Sequence, residues 1–203
     1  MSSSGGGLAI PVSADDHALG PQSASITLVE YGDYECSFCG AAYPIVAALQ
    51  RTFGDELRFV FRNMPLANVH PHAETAAEAA EAVGLQGHFW EMHDLLYEHQ
   101  NALEPSALLS YASASGADST EFEEALERRV THDRAQHDVE GGLRSGVKWH
   151  THVLYQRSSV WRLVGVGALR AVSRVARRTP SRRRSLESRS RALAQTSRLW
   201  RAH

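Results

Sequence analysis

ITLVEYGDYECSFCG, residues 26–40, joins a β-rich run to a Cys-x-x-Cys pair. Ile26–Tyr31 (ITLVEY) carries β-branched and aromatic residues with few breakers, so it reads as a buried strand. Gly-Asp-Tyr-Glu follows as a short loop and leads into Cys36. From Cys39 onward the apolar residues Ala42, Ile45, Val46 and Leu49 recur at helical spacing. The pair therefore sits where a strand hands over to a helix. At a helix N-terminus, unpaired backbone N–H groups and the helix dipole favour a thiolate over a thiol. The first cysteine gains that stabilisation, and the second lies one turn further in, within reach of it. Such a pair can attack a disulfide through Cys36 and resolve the mixed disulfide through Cys39.

Further along, Gly54-Asp55 stops the first helix and Leu57–Arg62 (LRFVFR) alternates as a second strand. Pro71 then opens an Ala/Glu-rich helix to Val83, with Gly84 as its C-cap. Helices are also expected over Phe89–His99, Pro105–Ala114, Ser119–Arg129 and Thr131–Leu143. Phe89, Trp90 and Met92 read as core residues of this helical run. The order strand, Cys-x-x-Cys, helix, strand and helices describes an α/β thioredoxin-like fold with a helical insertion. Residues 1–24 are rich in Ser, Gly and Pro and are expected to form a flexible leader.

The chain has 203 residues and only two cysteines, Cys36 and Cys39. That excludes a disulfide-stapled scaffold, which needs more cysteines at wider spacing. A zinc site would require two further ligands. His70 and His72 are the nearest candidates, and they read equally well as exposed turn residues. We expect no metal and no cofactor. Glu35, beside Cys36, is a candidate proton shuttle or simply a solvated acid. Tyr31, Tyr34 and Phe38 are candidates to line a substrate groove or to cover the thiols. The N-terminus has neither a basic n-region nor an apolar h-region, and no run is long enough to span a bilayer. As written, the chain is expected in the cytoplasm; a start further upstream would allow export.

Val29–Gly40 (VEYGDYECSFCG) resembles the active-site segment of DsbA-like thiol–disulfide oxidoreductases of the thioredoxin superfamily. The resemblance runs over roughly residues 13–147 and includes FVFRNMPL, VHPHAETAAEAAEAVGLQGHFWEMHDLLYEHQ and LRSGV. The segment is also similar to the thioredoxin-like domain fused to some NhaA sodium/proton antiporters. The resemblance implies Cys36 as nucleophile, Cys39 as resolving thiol, and protein thiols or disulfides plus a redox partner as reactants. It implies that Ser37 and Phe38 tune the potential. Phe38 stands where the strongly oxidising members carry histidine, and it supplies no cation. Pro65 is not the family's cis-proline. Oxidase, reductase and isomerase roles all stay open.

After Val147 the pattern breaks. The family continues with a segment resembling GTPTFFING, whereas this chain reads Lys148-Trp149-His150-Thr151-His152-Val153-Leu154-Tyr155-Gln156-Arg157. Removing one adenine from the Lys148 codon lets the degenerate codons regroup as Val-Asn-Gly-Thr-Pro-Thr-Phe-Phe-Ile-Asn-Gly. A one-base insertion near Lys148 would thus place residues 148–203 out of frame. The charge agrees with that: residues 149–203 hold 13 arginines, no lysine and one acid, Glu187, in a chain whose net charge is only −2. On this reading the C-terminal sheet strands are missing or replaced by an unrelated basic tail. The alternative is an inactive remnant or binding module. Trp161, Leu163, Val164, Leu169, Val172 and Val175 among arginines would then form a basic amphipathic helix for an anionic membrane. Arg182-Arg183-Arg184 would contact nucleic acid, although no recognised nucleic-acid motif accompanies it and no such partner is expected.

Overall fold

The computed structural model describes residues 7–147, 152–157 and 160–165. Its sheet has five strands in the order β1-β3-β2-β4-β5. These are β1 (His17–Leu19), β2 (Ile26–Gly32), β3 (Leu57–Asn63), β4 (His152–Arg157) and β5 (Val160–Gly165). β2 and β3 run parallel, from Ile26 opposite Leu57 to Gly32 opposite Asn63. The other pairs are antiparallel. The parallel pair needs a crossover, and the helix that begins at the cysteines supplies it. That helix, α1, spans Ser37–Phe53. The remaining helices are α2 (Ala73–Leu85), α3 (Phe89–Glu98), α4 (Pro105–Ala114), α5 (Ser119–Glu127) and α6 (His132–Arg144).

Alternation along the central strands sorts the core into two layers. Ile26, Leu28, Phe59 and Phe61 pack with Val46, Leu49 and Phe53 of α1 and with Val83, Phe89, Met92 and Leu96 of the insertion. Each such side chain removed from water contributes roughly 1.5–3 kcal/mol. Val29, Tyr31 and Val60 face the other way and pack with Met64, Val147 and Leu154. On this second face α6 comes close, and its glycines make the approach possible. A Cβ on Gly142 would lie 2.9 Å from Cδ1 of Tyr31 and 3.1 Å from Sδ of Met64.

Over its described residues, 7–24, the leader expectation is corrected by the structure. Residues 17–19 form β1, and the chain before it is anchored by the buried Arg62. Arg62 donates to both carboxylate oxygens of Asp16, to the Ile10 and Pro11 carbonyls and to the Tyr31 hydroxyl. A buried guanidinium needs those acceptors, so it orders the segment that supplies them.

The expected loss of the C-terminal strands is corrected as well. β4 pairs with β2 from Arg157 opposite Ile26 to His152 opposite Tyr31, and β5 returns beside it. HVLYQR and VWRLVG favour strands, and the open edge of β2 presents backbone groups that need partners. Trp161, Leu163 and Val164 therefore belong to a strand, not to the start of an amphipathic helix. Leu169 onward, including Arg182-Arg183-Arg184, lies outside the described residues, as does Lys148.

One cap also differs. Gly84 lies inside α2, which ends at Leu85, and the turn is made by Gly87 at φ +87° with His88 N–H bonded to Val83 O. α5 is capped by Asp118, whose side chain accepts from the Thr120 and Glu121 N–H groups. Ser119 itself is the first helical residue.

Candidate active site

Cys36 is the N-cap residue of α1, with extended backbone at φ −77° and ψ 120°. Cys39 lies on the inner face of the first turn. Both are thiols and both are buried, at 2% and 1% exposure. The Cys36 thiol is pulled down to about 5 from its ordinary value. The hydrogen bond from the Cys39 thiol is the largest cause. Burial opposes the shift, and the Cys39 and Phe38 N–H groups at the helix start reinforce it, against the negative charge of Asp33. These causes favour a thiolate on Cys36 at neutral pH, and Cys39 accepts a hydrogen bond from the Asp33 N–H at 3.3 Å.

The loop before Cys36 is held from three sides. Cys36 N–H donates to Asp33 O at 3.2 Å. Gln100, at the end of the α3 segment, donates to the carbonyls of Tyr34 (2.7 Å) and Cys36 (3.1 Å). Its side chain runs directly over Gly40, where any Cβ would collide with it. The loop after β3 closes the third side: Met64 N–H bonds Gly32 O at 2.8 Å, Leu66 N–H and His70 Nδ1 meet Asp33 Oδ2 at 2.8 and 2.7 Å, and His72 N–H donates to Glu35 at 2.6 Å.

Glu30 lies beneath this platform, on the α1 face of β2 with Ile26 and Leu28. It is 2% exposed, and burial pushes its carboxyl up to about 8. Burial likewise raises the Tyr97 hydroxyl, and the charges of Cys39 and Glu30 raise it further, which puts all three groups in one region. Tyr34 is buried with its hydroxyl 3.1 Å from His93 Nδ1. Burial, with a small contribution from the charge of His17, depresses His93 to about 3, so it is neutral.

The sequence candidates thus separate. Cys36, Ser37, Phe38 and Cys39 come together at the α1 start. Phe38 is 57% exposed beside the thiols. The Glu35 carboxylate is engaged by the His72 backbone. Tyr31 turns to the opposite face, against Arg62. Asp33, Glu30 and Gln100 were not singled out as parts of the thiol site, and His70 entered only as a zinc-ligand candidate or an exposed turn residue. The signal for Glu30 was present: it shares the two-residue alternation of Ile26 and Leu28. Among the described residues, one group of three ligand-type side chains gathers within 4.8 Å, Glu74, Glu78 and His132. The Arg129 guanidinium already bonds all three, so part of their charge is compensated.

The thioredoxin family model matches residues 13–151. The Na(+)/H(+) antiporter NhaA 1 of Salinispora arenicola is 50% identical over 141 residues, 69% of this chain and 22% of that protein. The NhaA antiporter of Herminiimonas arsenicoxydans is 40% identical over 131 residues, 64% of this chain and 21% of that protein. The chain thus spans about a fifth of these relatives. Among solved structures, BdbD from Bacillus subtilis superposes with a TM-score of 0.69 at 20% identity, covering 78% of this chain and 89% of that one. A thioredoxin-like oxidoreductase from Silicibacter pomeroyi gives 0.67 at 22%, covering 82% and 95%. These two carry the fold, including the helical insertion. With the family match spanning the Cys-x-x-Cys loop, the parallel strand pair and the insertion, the chain belongs to the thioredoxin family.

Proposed function

We propose that the chain exchanges disulfides with protein substrates through Cys36 and Cys39. The observation that carries this reading is the Cys36 thiolate at the start of α1, hydrogen-bonded by the Cys39 thiol. In the reducing direction the Cys36 thiolate attacks one sulfur of a substrate disulfide. That S–S bond breaks, one substrate sulfur leaves as thiolate, and a mixed disulfide forms. Cys39 loses its proton and attacks Cys36 Sγ; the second substrate sulfur leaves and the Cys36–Cys39 disulfide remains. The oxidising direction is the reverse. The Cys39 proton is released in this step and regained in the reverse; Glu30, held near 8, keeps its own proton at neutral pH and acts as a base only through its ionised fraction.

The exposed Phe38 gives an incoming chain an apolar contact beside the thiols. The test is insulin reduction by dithiothreitol with wild type, Cys36→Ser and Cys39→Ser. Wild type should accelerate it, Cys36→Ser should abolish the acceleration, and Cys39→Ser should trap a mixed disulfide. Wild-type rates equal to the Cys36→Ser rate would point to a non-catalytic thioredoxin-like module.

A further inference from the structure

A histidine from outside the Cys-x-x-Cys sequence reaches the loop that carries the thiols. His70 Nδ1 lies 2.7 Å from Asp33 Oδ2. Asp33 is bonded to both cysteines through its backbone: its carbonyl accepts from Cys36 N–H at 3.2 Å and its N–H donates to Cys39 Sγ at 3.3 Å. Its side chain is 3% exposed, so its charge is poorly screened. A buried carboxylate at that position disfavours a thiolate on Cys36. Neither Ser37 nor Phe38 can offset it.

The loop that carries His70 is stiff. Leu66 O accepts from the N–H groups of Val69 and His70 at 2.9 Å each, Pro71 follows, and His72 N–H is fixed on Glu35. The imidazole is therefore held in place, and at 24% side-chain exposure it still reaches solvent protons.

We infer that His70, held as an imidazolium by Asp33, is a positioning residue for the Cys36–Cys39 couple: it offsets the Asp33 charge at Cys36 and binds its proton more tightly when the pair is reduced. The inference rests on the exchange reading above. The charged groups facing His70 are Asp33, Cys36 and Glu35, all from the β2–α1 loop. Burial opposes the imidazolium, but the Asp33 hydrogen bond and charge, with Cys36 and Glu35, outweigh it and hold His70 above its ordinary value. Disulfide formation removes the thiolate from that set. The two electrons go to the substrate disulfide and the Cys39 proton leaves. His70 then holds its own proton less tightly. By reciprocity the imidazolium stabilises the reduced protein and makes it more oxidising.

Two measurements test this. NMR titration of His70 in wild type should give a higher midpoint in the reduced protein than in the oxidised one; equal midpoints overturn the inference. His70→Gln should shift the glutathione equilibrium roughly tenfold toward the protein disulfide, the effect of one partly screened charge, or about 30 mV. His70→Lys, which keeps a cation, should stay close to wild type. Equal shifts in His70→Gln and His70→Lys, or none in either while exchange proceeds, overturn the inference alone. Failure of wild type to form the Cys36–Cys39 disulfide overturns the exchange reading and this inference with it.

Discussion

Replacing Glu30 by Gln should remove the pH dependence that this one carboxyl imposes on stability. Its folded value is about 8 against 4.5 unperturbed, and burial is the sole cause. In the folded protein the group keeps its proton up to about pH 8, whereas the unfolded chain releases it above 4.5. The unfolded state therefore binds fewer protons throughout that window, and stability falls as pH rises through it. Below 4.5 both states are protonated and nothing is lost. Each pH unit costs about 1.4 kcal/mol. The loss reaches about 3 kcal/mol at pH 7 and about 5 kcal/mol once pH passes 8. Against a typical total of about 5–15 kcal/mol this is a large fraction.

Gln has nearly the same shape and does not ionise, so the variant escapes the loss. Cys36 titrates with the opposite sign: its depressed value adds stability as pH rises above about 5. The comparison therefore belongs in a Cys36→Ser, Cys39→Ser background. Urea unfolding from pH 4 to 9 should show the Gln variant gaining on its parent by roughly 5 kcal/mol between pH 4.5 and 8, then running parallel. A difference constant across that range would mean Glu30 is ionised in the fold and would refute the argument.

Asp118→Ala removes both side-chain bonds at the start of α5 and should cost about 1 kcal/mol in urea unfolding, with exchange activity unchanged; no loss would place the α5 start elsewhere. If residues 148–203 are read out of frame, restoring Asn-Gly-Thr-Pro-Thr after Val147 should raise the melting temperature by several degrees, as a gain of about 2 kcal/mol would. Identical melting curves for the two versions would count against the frame reading, and sequencing the gene across the Lys148 codon decides it independently.

The half of the site that lies along one stretch of chain was legible, and the half assembled by the fold was not. Cys36 and Cys39 could be placed because a strand and a helix flank them in sequence. Asp33 and His70 are 37 residues apart and meet only because β2 and β3 run parallel and end together, which brings the two following loops side by side. Gln100 reaches Cys36 O across a separation of 64 residues from the far end of α3. Three residues of β1 are too few to show alternation; they are held by pairing with β3, and the chain before them by Arg62 of that same strand. The hairpin of β4 and β5 was hidden by a different cause: loss of the expected Thr-Pro segment hid the strand-forming composition that remains in its place.

The central claim is that α1 and Cys39 make Cys36 a thiolate at neutral pH, and the rate of Cys36 alkylation by iodoacetamide as a function of pH tests it most directly. Measured on reduced Cys39→Ala beside wild type, it also separates the helix from the neighbouring thiol. Wild type should titrate with a midpoint near 5, and the variant should move upward because the largest cause of the shift has gone. A wild-type midpoint at the ordinary cysteine value near 9, unchanged in the variant, would contradict the account.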